Sequence, residues 1–129
     1  MASSTCILLI DDDETICELV SAILSDEGYQ VVAVPDAASG LAALRTAPPK
    51  LILLDCMTHG QAHAEFVEKY RQWPAPHAPI YLFTAASNAE TIAHELQLAG
   101  TLAKPFDIET LVELAERHGC EKQVTGRVP

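Results

Sequence analysis

Leu51-Ile52-Leu53-Leu54-Asp55 is a run of four apolar residues that stops on a carboxylate. Its length is that of a strand, and its lack of polar alternation predicts a strand covered on both faces, as in a parallel sheet between helix layers. In open α/β sheets ligands bind beyond the carboxyl ends of the strands, which puts Asp55 at the functional edge. A second run, Ile7-Leu8-Leu9-Ile10, also ends on acids, Asp11-Asp12-Asp13. Two strands that deliver carboxylates to one edge would build an acidic pocket.

Outward from these runs, strand and helix signals alternate along the whole chain. Cys6 to Ile10 reads as the first strand, with Asp13 capping a helix whose Ile16, Leu19, Val20, Ile23 and Leu24 share one face. Gly28 sits where a left-handed residue ends such a helix. Val31 to Val34 is a second strand, followed by the turn and cap Pro35-Asp36. Its poor supply of edge groups places it at the sheet margin. A helix with Ala37, Leu41 and Leu44 inward closes at Pro48-Pro49, before the Leu51–Leu54 strand.

After Asp55, a loop from Cys56 to Gln61 leads to a helix with Ala62, Phe66, Tyr70 and Trp73 on one side. Prolines stiffen the segment 74–79, and Ile80 to Phe83 is a fourth strand that ends on Thr84. Asn88 can cap a fourth helix with Ile92, Leu96 and Ala99 inward. Thr101 to Ala103 is a short fifth strand ending on Lys104-Pro105. Asp107 caps the last helix, where Ile108, Leu111, Val112 and Ala115 recur at helical spacing until Gly119. Five strands alternating with five helices imply a parallel sheet with right-handed crossovers and helices on both faces.

At 129 residues the chain fits one domain, large enough to bury roughly two thirds of its unfolded surface. Apolar residues at 49% and charged residues at 20% are ordinary globular composition and argue against a disordered chain. The net charge of −10 argues against a nucleic-acid surface, whose footprint is basic. No apolar run reaches the ~18 residues of a membrane helix, and the start carries no signal-peptide pattern. Neither nucleic acid nor membrane is therefore expected as a partner. Cys6, Cys17, Cys56 and Cys120 show no paired spacing, and reduced thiols in a cytoplasmic protein are the natural reading.

The predicted edge collects Asp11, Asp12, Asp13, Asp55, Thr84 and Lys104. Several carboxylates so close must either take up protons or share a cation, and oxygen-only ligands favour a hard ion such as Mg²⁺. Thr84 adds a hydroxyl and Lys104 a point charge. Acids, a hard cation, a hydroxyl and an ammonium together suit a phosphoryl group that a carboxylate can attack.

These residues resemble the receiver domain of two-component response regulators over roughly residues 5 to 119. The resemblance rests on Leu9-Ile10-Asp11-Asp12, Leu53-Leu54-Asp55, Thr84-Ala85 and Ala103-Lys104-Pro105-Phe106. It implies a flavodoxin-like doubly wound five-stranded parallel sheet of order 2-1-3-4-5 with five helices. The receiver domain would occupy residues 1–119 and a short fraying tail 120–129. Asp55 would accept a phosphoryl group from a sensor histidine kinase or a histidine phosphotransfer protein. Mg²⁺ would be bound by Asp12 and Asp55, by Asp11 through water, and by the Met57 carbonyl. Thr84 would hydrogen-bond the phosphoryl oxygens and Lys104 would pair with them, the domain catalysing its own phosphorylation and dephosphorylation rather than acting as a conventional enzyme. The Lys104-Pro105 peptide would be cis. A downstream protein partner, and a homodimer through the last two strand–helix units, complete the expectation.

The chain departs from the family pattern at three positions. His59 stands where Pro is usual, His63 where Gly is usual, and Thr101 where an aromatic switch residue normally precedes the lysine. A receiver-like binding module with little phosphorylation-dependent switching is the alternative that these departures support. A remoter one is a haloacid-dehalogenase-like phosphatase, with Asp11 as nucleophile and Asp13 as acid/base. Cys56, His59 and His63 have a spacing that could hold zinc or copper, against the plainer reading of solvated loop histidines.

Overall fold

The computed structural model describes residues 5–56 and 62–122. The elements in chain order are β1 (Ile7–Ile10), α1 (Glu14–Asp26), β2 (Val31–Val34), α2 (Ala37–Thr46), β3 (Leu51–Leu54), α3 (Ala62–Arg71), β4 (Ile80–Thr84), α4 (Ala89–Glu95), β5 (Gly100–Ala103) and α5 (Ile108–Arg117). All strand pairs are parallel, in the order β2-β1-β3-β4-β5. This is the flavodoxin-like architecture expected from the alternation of elements, with β2 at one margin.

Residue parity along each strand assigns the two faces, because successive side chains point to opposite sides of a sheet. Ile7, Leu9, Leu51, Leu53, Tyr81, Phe83 and Leu102 form one core with Val20 and Leu24 of α1 and Leu111, Leu114 and Ala115 of α5. Leu8, Ile10, Ile52, Leu54 and Ile80 form the other, under Leu44 of α2 and Phe66, Val67 and Tyr70 of α3. Every residue of β3 is buried, which is why that segment reads as an unbroken apolar run.

Two predicted caps are made and two are not. The Asp13 carboxylate accepts the backbone N–H groups of Thr15 and Ile16, and Asp36 accepts that of Ser39. Asn88 and Asp107 occupy N-cap positions without side-chain cap hydrogen bonds. Helix α4 is also shorter than its periodicity suggests. Gln97 takes a left-handed φ of 56°, and the Leu98 N–H turns back to Ala93 O, so Leu96 lies at the helix end and Ala99 is exposed beyond it. The Arg71 guanidinium of α3 donates to the carbonyls of Leu96 and Gln97, supplying partners at this helix end.

Besides Ala99, two apolar residues assigned to inner faces point outward. Leu19 is 47% exposed and Ile108 52% exposed. Both lie at the border of an apolar stripe, where periodicity marks the face but not where its burial ends.

The cysteines require a larger correction. Cys6, just before β1, and Cys120, just after α5, form a disulfide across a sequence separation of 114 residues with Cα atoms 5.6 Å apart. Only Cys17 and Cys56 are free thiols. The α5 helix packs on β1's face of the sheet, so its C-terminal end returns to the start of the first strand.

Candidate functional site

Three of the edge residues are held by the same ladder that builds the sheet. The Asp11 N–H donates to Val34 O at 3.0 Å, the Asp55 N–H to Ile10 O at 2.9 Å, and the Lys104 N–H to Thr84 O at 3.1 Å. Each backbone is therefore fixed one residue past its strand, while its side chain is free to face the edge. The Lys104-Pro105 peptide is cis, as expected.

The side chains converge. Lys104 Nζ lies 2.5 Å from Asp11 Oδ2 and 3.3 Å from Asp55 Oδ1. One carboxylate oxygen from each of Asp11, Asp12 and Asp55 falls within a common span of 4.8 Å. Asp11 and Asp55 are buried whereas Asp12 is exposed. Asp11 Oδ1 accepts the Asp13 N–H at 2.9 Å, which orients this carboxylate toward Lys104. The Cys17 thiol of α1 donates to the Asp11 carbonyl at 3.2 Å.

Electrostatics reflect this crowding. Burial raises the Asp55 pKa above the ordinary carboxylate value, the charge of Asp11 raises it further, and Lys104 opposes both. Burial works against the Lys104 ammonium, but its hydrogen bond to Asp11 and the charges of Asp55 and Asp11 prevail, and its pKa is raised. Burial and the charges of Asp11 and Asp13 push the Cys17 thiol up to about 11, so it stays protonated and inert as a nucleophile. A cluster of hard oxygen donors, with one carboxylate already held above its usual range by burial and by a like charge, fits a hard divalent cation.

The remaining expectations fall out unevenly. Thr84 is buried at the end of β4, and its Oγ1 accepts the Ala86 N–H at 3.2 Å, leaving the hydroxyl hydrogen available to an acceptor. Met57 and His59 lie outside the described residues. His63 is not a solvated loop residue: it lies in α3, is 8% exposed, and its ring nitrogens are 3.9 and 4.0 Å from Cys56 Sγ. Burial lowers its pKa, with the Asp55 charge opposing, and burial raises that of Cys56. Asp13, offered above as an acid/base, is exposed and occupied as the α1 cap. Thr101 is half-buried opposite Leu82 in the ladder. Phe83 escaped the sequence reading: its ring face lies 4.9 Å from Lys104 Nζ. Strand parity was the available signal, since Phe83 shares a face with Leu53 and Leu102, the residues two before Asp55 and Lys104.

The family described as response regulator receiver domain matches residues 7–116. The chain belongs to the response regulator receiver family. Among curated relatives, the probable transcriptional regulatory protein TcrX of Mycobacterium tuberculosis is 32% identical over 108 residues, covering 82% of this chain and 46% of that protein. The nitrogen assimilation regulatory protein NtrX of Azorhizobium caulinodans is 31% identical, covering 86% of this chain and 25% of that protein. This receiver thus spans less than half the length of either relative. Among solved structures, the receiver domain of NtrX from Brucella abortus superposes with a TM-score of 0.76 at 30% identity, covering 87% of this chain and 96% of that one. The chemotaxis protein CheY4 of Vibrio cholerae gives a TM-score of 0.76 at 28% identity, covering 89% and 98%.

Proposed function

We propose that this receiver is a phosphoacceptor of a two-component phosphorelay, with Asp55 as the acceptor. The observation that carries the reading is the convergence of Asp11, Asp12, Asp55 and Lys104 at the carboxyl edge of a receiver fold. An Asp55 carboxylate oxygen attacks phosphorus while the bond to the donor's leaving group breaks, yielding an acyl phosphate. Lys104 pairs with the phosphoryl oxygens, and the Thr84 hydroxyl donates to one of them. Asp11, Asp12 and Asp55, with the Met57 carbonyl, would hold Mg²⁺, which supplies charge neutralisation when bound.

The donor is a sensor histidine kinase or a histidine phosphotransfer protein, and the phosphorylated state alters docking to a downstream protein. We assign the domain to residues 1–119, with Cys120 not fraying but buried and tied back to Cys6 by the disulfide, and place it in the cytoplasm, the compartment of ATP-dependent kinases. No described helix is long and apolar enough to cross a membrane. Dimerisation through β4–α4 and β5–α5 is part of the same proposal.

The test is Mg²⁺-dependent labelling by acetyl phosphate, with Asp55→Asn as control. We expect label in the native protein and none in the variant; native protein without label would refute the reading. Mg²⁺ at a hundredfold excess over its Kd should also stabilise the native protein by about 2.7 kcal/mol, an effect lost in Asp12→Asn.

The half-buried Thr101 supports a second reading, a binding module without phosphorylation-dependent switching. Labelling that leaves the amide spectra of β5 and α4 unchanged would favour it.

A further inference from the structure

An ammonium has three N–H donors and no acceptor. In Lys104 the Asp11 and Asp55 carboxylates take charge-assisted contacts at 2.5 and 3.3 Å. A further side of the ammonium faces the ring of Phe83, whose centroid is 4.9 Å away, within the range of a cation–π interaction. Phe83 is fully buried in β4, directly before Thr84. Phe106, two residues after Lys104, meets it edge to face, with centroids 5.6 Å apart and planes at 62°. The ring is thus held in place from the segment that carries the lysine.

We propose that Phe83 is a positioning residue for Lys104, its π face holding the ammonium at the strand edge both before and after Asp55 is phosphorylated. This rests on the reading of Asp55 as acceptor and Lys104 as counter-charge. The physical reason lies in what changes during acyl phosphate formation. The Asp55 oxygen that attacks phosphorus becomes part of a covalent bond, so Lys104 exchanges a carboxylate partner for phosphoryl oxygens. Asp11 forms no covalent bond in this step and does not follow that exchange. The ring is the neutral partner: it attracts the cation, puts no negative charge in the path of an incoming phosphoryl group, and contacts the ammonium irrespective of what Asp55 carries. An aliphatic residue at position 83 would fill the same core volume but offer no negative face.

The decisive test alters the ring's electrostatics without altering its shape. Phe83 is replaced site-specifically by mono-, di- and trifluorinated phenylalanine, and initial rates of labelling by acetyl phosphate with Mg²⁺ are compared with thermal midpoints. Labelling should slow stepwise with fluorination, by roughly three- to tenfold at the trifluorinated ring, while the midpoint moves little. A second readout needs no phosphorylation. In the unphosphorylated protein the ε-methylene protons of Lys104 should resonate upfield through the Phe83 ring current, and Phe83→Leu should abolish that shift. Labelling rates that stay level across the fluorinated series, with native protein labelling normally, would overturn the positioning role alone. Native protein that takes no label would overturn the acceptor reading, and the role at the phosphoryl group with it.

Discussion

Asp55 is a buried carboxylate beside a second carboxylate, and its raised pKa has a consequence for stability. A carboxyl group whose folded pKa exceeds its unfolded value weakens the fold when ionised. The penalty is complete above the folded pKa and vanishes below the unfolded value of 3.8. Asp55→Asn should therefore raise the thermal midpoint at neutral pH by about 3 °C, with the gain shrinking as the pH approaches the ordinary carboxylate range. Melting curves across that range check it, and a variant that melts at or below the native protein at neutral pH would contradict it. Lys104 has the opposite role, because it is the cation that both buried acids share. Lys104→Met should cost roughly 2 kcal/mol at neutral pH, less than a fully enclosed pair would because the lysine keeps some solvent contact. The double variant Asp55→Asn/Lys104→Met should recover more of that loss than the gain from Asp55→Asn alone supplies, because without Lys104 the buried Asp55 charge has lost its cation; chemical denaturation of the four proteins would measure it. A double variant whose stability equals the sum of the two single effects would mean that the two groups do not interact.

At the scale of elements, the approach of α2 to the sheet depends on one residue. A Cβ at Gly40 would stand 2.6 Å from Ile10 Cδ1, 3.1 Å from Ile10 Cγ1 and 3.3 Å from Phe66 Cε1. Ile10 and Phe66 are themselves fully buried, so neither can yield without disturbing the core. Gly40→Ala should thus destabilise by roughly 1–2 kcal/mol even though alanine is the better helix former by about 1 kcal/mol. A denaturation midpoint equal to or above the native one would show that the core accommodates the methyl group. The same contest between local preference and packing explains where periodicity went astray. Leu19 and Ile108 fit apolar stripes but lie past the rim of the buried face. Ala99 follows the α4 spacing, yet the helix has already been ended by Gln97.

For the molecule as a whole, the Cys6–Cys120 bond links the start of β1 to the end of α5 and closes nearly the full described chain into one loop. Constraining so long a loop restricts the unfolded ensemble, and Cys120→Ser should cost roughly 2–4 kcal/mol under non-reducing conditions. In a dithiol reductant the native protein should fall to the variant's stability. Equal midpoints without reductant would show that the bond contributes nothing. The pairing could not be read from spacing, since no local rule relates positions 6 and 120. It follows from which helix lies over which strand.

The sequence by itself determined the fold class and the placement of most of the candidate site. Unbroken apolar runs of strand length between turn signals read as buried strands, acids at their ends collect at one edge of a parallel sheet, and each such rule acts over a few residues. That placed Asp11, Asp12, Asp55, Thr84 and Lys104 at the strand ends, where the structure has them. Tertiary structure alone decided the contacts between elements distant in the chain: the disulfide, the burial of His63 against Cys56, and the Phe83 ring beneath the Lys104 ammonium. Periodicity gives the side of an element on which a residue lies. What that side meets depends on the packing of other elements, and a single chain of residues does not carry that information locally.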